Sequence, residues 1–189
     1  MSSVKLTADS GGGTVELKAP ATTTSNAAKV VTLSQNPGMI TQVVQTIKSD
    51  TTSLSSTSTF TDISGMSVAI TPSSSSNKIL VQFNVNISNL SNGHVDVRLL
   101  RGSTAIAVGD ASSSRARVSI SKESAAHGNG MEERTMMFLD SPATTSATTY
   151  KLQWKTGGVD AVLNRSKDDS DDSSHPRGVS TITAMEVAG

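Results

Sequence analysis

The chain has 189 residues, 16 basic and 16 acidic side chains, no cysteine, and serine or threonine at 55 positions. That length supports one sizeable core rather than two, and the balanced charge provides no basic face for nucleic acid. Without cysteine there can be no disulfide, thiolate metal site or thiol nucleophile.

Charged residues make up 17% of the chain and aromatics 3%, a thin supply of the side chains from which enzyme pockets are built. No apolar run approaches the roughly 18 residues of a membrane span. The opening MSSVKLTADSGGG lacks the apolar stretch of a secretory signal. The expectation is a protein made in a cytoplasm, with no membrane insertion and no nucleic-acid partner.

In chain order, VKLTADSGGGTVELKAP reads as two short alternating runs around a glycine turn. Val4 and Leu6 share one parity in the first run, and Val15 and Leu17 share one in the second. This hairpin-like arm has too few apolar residues for a core of its own. It is expected to dock on another polypeptide through those four residues. Asn36-Pro37-Gly38 is a turn signal and divides an arm, residues 1–40, from a globular part, residues 41–189.

The globular part reads as short strands with turn punctuation. TQVVQTIK comes first, then TFTDISGMSVAI, interrupted at Gly65 by a bulge or tight bend. KILVQFNVNIS alternates most strictly: Ile79, Val81, Phe83, Val85 and Ile87 match a period of two and are expected to face inward. HVDVRLLRG and STAIAVGD meet at Arg101-Gly102-Ser103. RARVSISK, ERTMMFLD, TTYKLQWKT, DAVLNRS and VSTITAMEVA complete the series. Apolar residues do not repeat at helical spacing, and β-branched residues dominate. Eight or more short strands with turns between them predict an all-β, jelly-roll-like antiparallel sandwich.

The stretch KDDSDDSSHPRG, residues 167–178, holds the densest chemistry. Asp168, Asp169, Asp171 and Asp172 are hard oxygen donors of the kind calcium takes, but their spacing is not that of a calcium-binding helix-loop-helix. They are weak metal candidates. The favoured reading is an exposed hairpin-type connection, extended by mutual repulsion of the aspartates, with Asp169, Asp172 and His175 offered to a partner. His94, His127 and His175 show no metal-ligand spacing and no nucleophile nearby. Glu132 and Glu133 are adjacent on a strand and point to opposite faces, so they do not converge on one substrate. Gly11 to Gly13 precede no helix and form no phosphate loop. Tyr150, Leu152 and Trp154 share a parity; core packing is the first reading and a sugar-stacking platform the second. No catalytic residue and no cofactor is expected.

The runs ISGMSVAITPSSSSNKILVQFNVNIS, VRLLRGSTAIAVGD, FLDSPATTSATTYKLQWKT and NRS…RGVSTITAMEVAG resemble a globular module of marine phage virion proteins, above all those of cyanophages. The arm resembles the opening of many such fibre-like proteins. The resemblance covers nearly the whole chain and implies a β-sandwich on a virion appendage, commonly a homotrimer. Its partners would be other virion proteins and a host surface glycan or protein, with residues 167–178 as a variable exposed loop. A short fibre or knob is the first function it implies. A capsid decoration protein is the second, since here the arm leads directly into one domain. Apart from the resemblance, a polysaccharide-degrading enzyme is the third and least favoured reading, since the acids are scattered rather than gathered as a groove would need.

Overall fold

The computed structural model describes residues 37–123 and 130–189, together with the strands β1 (Ser3–Thr7) and β2 (Thr14–Lys18). The chain divides into two compact units, Met1–Ser34 and Gln35–Gly189. In the first, β1 and β2 pair antiparallel, with Val4 opposite Leu17 and Leu6 opposite Val15. The side chains of these four expected docking residues lie outside the described residues, as do His127 and Gly11 to Gly13.

The second unit contains β3 (Ile40–Lys48), β4 (Thr52–Leu54), β5 (Thr61–Ile70), β6 (Lys78–Asn89), β7 (His94–Arg101) and β8 (Thr104–Ile106). It continues with β9 (Ile120–Glu123), β10 (Glu132–Asp140), β11 (Thr148–Gly157), β12 (Ala161–Leu163) and β13 (Ser180–Val187). In the first sheet β6 is central. It pairs with β10 along one edge, and with β13 and β12, end to end, along the other. Beyond these, β3 pairs β13 and β4 pairs β12. The second sheet runs β5, β11, β7, with β8 and β9 end to end on the far edge of β7. Counting each end-to-end pair as one strand, the eight strands run 1-8-3-6 in one sheet and 2-7-4-5 in the other. That is the jelly roll expected from the strand pattern.

Alternation explains the core. Ile79, Val81, Phe83, Val85 and Ile87 of β6 are all buried, and meet Val95, Val97 and Leu99 of β7 and Tyr150, Leu152 and Trp154 of β11 across the sandwich. The sugar-platform reading of Tyr150 and Trp154 is therefore overturned, because neither ring is available to solvent. Tyr150 also donates its hydroxyl to Asp140 at 2.6 Å, and Arg101 holds the same carboxylate at 2.9 Å. Burial, reinforced by that carboxylate, pushes the tyrosine hydroxyl well above its ordinary pKa.

Gly65 marks the expected bulge. Ser67 pairs with Lys151 and Asp62 with Gln153, so β5 carries extra residues across from Leu152, and Gly65 takes φ 79° there. Gly102, at φ 59°, opens the two-residue turn between β7 and β8, where a positive φ matches the strand twist.

Two expected strands are shorter than the pattern suggested. STAIAVGD stops at Ile106 because Ala107 turns to φ 52°. RARVSISK contributes only Ile120 onward. Its first half folds back on the preceding loop, with Gly109 donating its N–H to the Val118 carbonyl and Arg117 Nε donating to the Gly109 carbonyl.

Candidate functional site

The acidic stretch is not a hairpin. Strands β12 and β13 both run antiparallel to β6 on the same side, Leu163 opposite Ile87 and Thr181 opposite Asn84. They are two halves of one strand position, and residues 164–179 leave and re-enter it within a few residues of β6. The segment is a compact surface loop whose ends meet, an Ω-type excursion. Sequence alternation alone cannot distinguish this from a hairpin, because the difference lies in which strand each half pairs with.

Asn164 builds the base of the loop. It is fully buried at φ 61°, a conformation that asparagine tolerates better than most residues. Its Nδ2 donates to the carbonyls of Lys48 at 2.8 Å and Asp50 at 3.0 Å, and its Oδ1 accepts from Ser180 Oγ at 2.6 Å. Its backbone N–H donates to the Asn86 carbonyl, and its carbonyl accepts from Gly178 N–H. Arg165 and Arg177 then face each other in an isolated bridge.

That closure brings cations to the aspartates. Asp169 sits between Arg177, at 2.6 Å, and Arg165, at 3.8 Å. Asp172 accepts from the Ser174 hydroxyl at 2.5 Å and the Ser174 N–H at 2.8 Å, and its Oδ1 lies 2.8 Å from His175 Nδ1. The expectation of an extended segment without specific partners is therefore corrected. Asp169 is neutralised by two arginines and Asp172 organises a tight turn, while counting acids alone overlooked the arginines at both ends. His175 is also not offered to solvent: its side chain is only 11% exposed. Asp168, Asp169, Asp171 and Asp172 remain on the surface. Among the described residues, no three acidic or imidazole side chains gather where a metal ion would sit.

The Ser174 hydroxyl, then His175 and the Ser174 N–H, hold the Asp172 carboxyl down at about 2. Because the folded value is the depressed one, the ordering this carboxylate gives the turn is complete above its ordinary pKa of about 3.9. It is lost as the pH falls through about 2. An NMR titration of the Asp172 carboxyl carbon should show that low midpoint, and Ser174→Ala should raise it. A wild-type midpoint near the ordinary value would mean that the turn does not form.

Sequence reasoning also missed Glu186. It shares the parity of Ile182 and Ala184, which is the signal that it points inward. Its Oε1 accepts from Ser73 N–H at 2.6 Å, Ser73 Oγ at 2.8 Å and Asn77 Nδ2 at 2.6 Å. Burial pushes its pKa up, but the bonds from Asn77 and Ser73 outweigh that and hold it below its usual value. The carboxylate thereby pins the turn before β6 to the last strand. It borders a shallow depression of about 370 Å³ lined by Thr41, Gln42, Thr71, Ser73 and Glu186. The other flagged acids behave as expected for a strand: Glu132 turns toward Lys122, at 3.4 Å, and Arg134, while Glu133 points outward and accepts from Thr135. His94 opens β7, with its Nε2 3.6 Å from Asp96.

No protein-family model and no curated protein matches the chain. Among solved structures, it is similar to the VP2 subviral particle of infectious bursal disease virus, at 14% identity over 96% of this chain and 49% of that one, with a TM-score of 0.39. It is also similar to T=1 particles derived from infectious bursal virus, at 16% identity over 97% and 44%, with a TM-score of 0.37. The chain thus spans about half the length of the solved chains it matches.

Proposed function

We propose that this chain is a non-enzymatic structural protein of a phage virion. Its N-terminal unit attaches it to the particle, and its jelly roll is displayed as a short fibre or knob toward the host surface. The observation that carries this reading is the division of the chain into a small β-hairpin unit ahead of a complete eight-strand sandwich. A two-stranded hairpin is marginal by itself in water and gains stability by docking on something larger. The sequence resemblance to phage appendage modules points the same way. Four of the strand acids are tied into the fold. Asp62 is paired with Lys151, Asp140 with Arg101, Asp96 with Lys155 and Glu132 with Lys122 and Arg134, which favours display over hydrolysis. The Ω-type loop, which interrupts the strand position beside β6 between Ile87 and Asn84, is the surface we assign to host contact; multivalent display would add many weak contacts into firm attachment.

The hydrogen bonds at the start of the sandwich set where a truncation should cut. Gly38 N–H donates to the Ala188 carbonyl and Ala188 N–H donates to the Met39 carbonyl, so residues 38 and 39 belong to the sandwich. Removing residues 1–34 should leave a folded domain with an unchanged melting transition that no longer enters particles. Truncated protein incorporating at wild-type copy number would refute attachment through this unit. Immunogold labelling then separates the roles. Label on appendages supports the fibre, and label spread over capsid faces supports the decoration alternative. Purified particles without label would remove the protein from the virion.

A further inference from the structure

Three polar side chains meet inside the sandwich at the end where β6 finishes. Asn89, the last residue of β6, shares the inward parity of Ile87. Lys122 of β9 stands opposite Val95, and Glu132 of β10 stands opposite Ile87, both core positions. Strand parity therefore aims all three between the sheets. Asn89 and Lys122 are each only 4% exposed, while Glu132 is half-buried at the rim. Lys122 Nζ lies 3.4 Å from Asn89 Oδ1 and 3.4 Å from Glu132 Oε1. Asn89 Nδ2 donates to the Gly93 carbonyl at 2.8 Å, so the amide turns its oxygen, and not its nitrogen, to the lysine. Arg134 bonds the other oxygen of Glu132, which leaves Oε1 for Lys122.

We propose that Lys122 and Asn89 condense into an isopeptide bond, with Glu132 carrying the proton, so that a covalent link joins the two sheets. The three groups supply an amine nucleophile, an acyl carbon and a general base. Glu132 takes a proton from Nζ, and the freed lone pair attacks Asn89 Cγ, pushing the carbonyl electrons onto Oδ1. Glu132 then gives that proton to Nδ2. The carbonyl re-forms, the Cγ–Nδ2 bond breaks and ammonia departs. The new amide passes its surplus proton out through Glu132, and ammonia leaves as ammonium. The lysine gives up two protons and the departing nitrogen takes both, so no oxidant, cofactor or energy source is consumed.

Burial supplies the driving force. A buried ammonium is costly unless it is closely hydrogen-bonded. Both contacts of Lys122 exceed the usual N–H···O range of about 2.7–3.2 Å. Condensation replaces this cation with a neutral amide and delivers the charge to water as ammonium. Packing supplies the rate, because strands that hold the two groups together convert a slow encounter into an intramolecular step. Val95 and Ile87, directly beside the site, are fully buried and keep water from reversing it.

Mass spectrometry of the full chain under denaturing conditions tests this. Wild type should weigh one ammonia less than its sequence. Trypsin should release a branched peptide that joins residues 79–98 to residues 118–134, uncut after Lys122. Lys122→Arg and Glu132→Gln should each restore the full mass. Lys122→Arg should also melt about 10 °C lower, because the link closes a long loop. Wild type at its full sequence mass, cut after Lys122, would overturn the proposal whether or not the variants fold. Ammonia lost within an unbranched 79–98 peptide would overturn it too, since that marks cyclisation at Asn92-Gly93. Complete cross-linking in Glu132→Gln would overturn the role given to Glu132. The bond is internal to one chain, so none of these outcomes bears on the structural-protein reading.

Discussion

Replacing Phe83 with alanine is expected to destabilise the sandwich domain by about 3–5 kcal/mol, the range for emptying a buried aromatic site. Phe83 is 1% exposed at the middle of β6, which has partners along both edges. Backbone pairing to Met136 on one side and Ile182 on the other prevents β6 from sliding into the void, so little of the lost packing can be recovered. For a domain of this size, each kcal/mol shifts the melting temperature by about 2–4 °C, so the transition should fall by about 6–20 °C. Urea denaturation would give the free energy directly. A loss under about 1 kcal/mol would show that the site collapses or that β6 is not the centre of the core.

Asn164→Ala is expected to cost about 4 kcal/mol, although it removes little apolar surface. The change leaves the carbonyls of Lys48 and Asp50 and the hydroxyl of Ser180 without their buried partner, at about 1 kcal/mol each. It also forces an alanine into the left-handed region, for about 1 kcal/mol more. Asn164→Gly separates the two causes: it relieves the backbone term and keeps the hydrogen-bond loss, so it should be the milder change. Amide exchange should accelerate at Ser166 and Gly178, whose N–H groups close the loop onto Pro176 and Asn164. Equal losses for alanine and glycine would show that the positive φ costs nothing here. A loss near zero for both would mean that the loop is not anchored at this residue.

Both positions show why some features are legible in the sequence and others are not. Local pattern suffices to place Phe83 in the core, because a strand's side chains alternate with a fixed period and five apolar residues keep that period. Tyr150, Leu152 and Trp154 follow by the same parity, and the kink at Gly65 follows from its glycine. Asn164 carries no such signal. It stands among polar residues in a segment rich in them, and its partners lie 16, 114 and 116 positions away.

The acidic loop divides along the same line. Its surface position is readable from composition, since four aspartates close together are costly to bury. Its shape is not. Whether β12 and β13 form a hairpin or one interrupted strand depends on both pairing with β6, and pairing partners are a long-range property that local pattern does not encode. The same holds for Asp169, whose partner Arg177 is brought close only when the loop closes. Sequence alone determined the all-β class and the inward residues of the central strands, because each rests on local periodicity and turn chemistry. Tertiary structure alone decided that Glu186 is a buried latch, that Asp169 is paired with Arg177, and that the exposed apolar residues of β3 and β10 share one face, because each depends on which segments lie side by side.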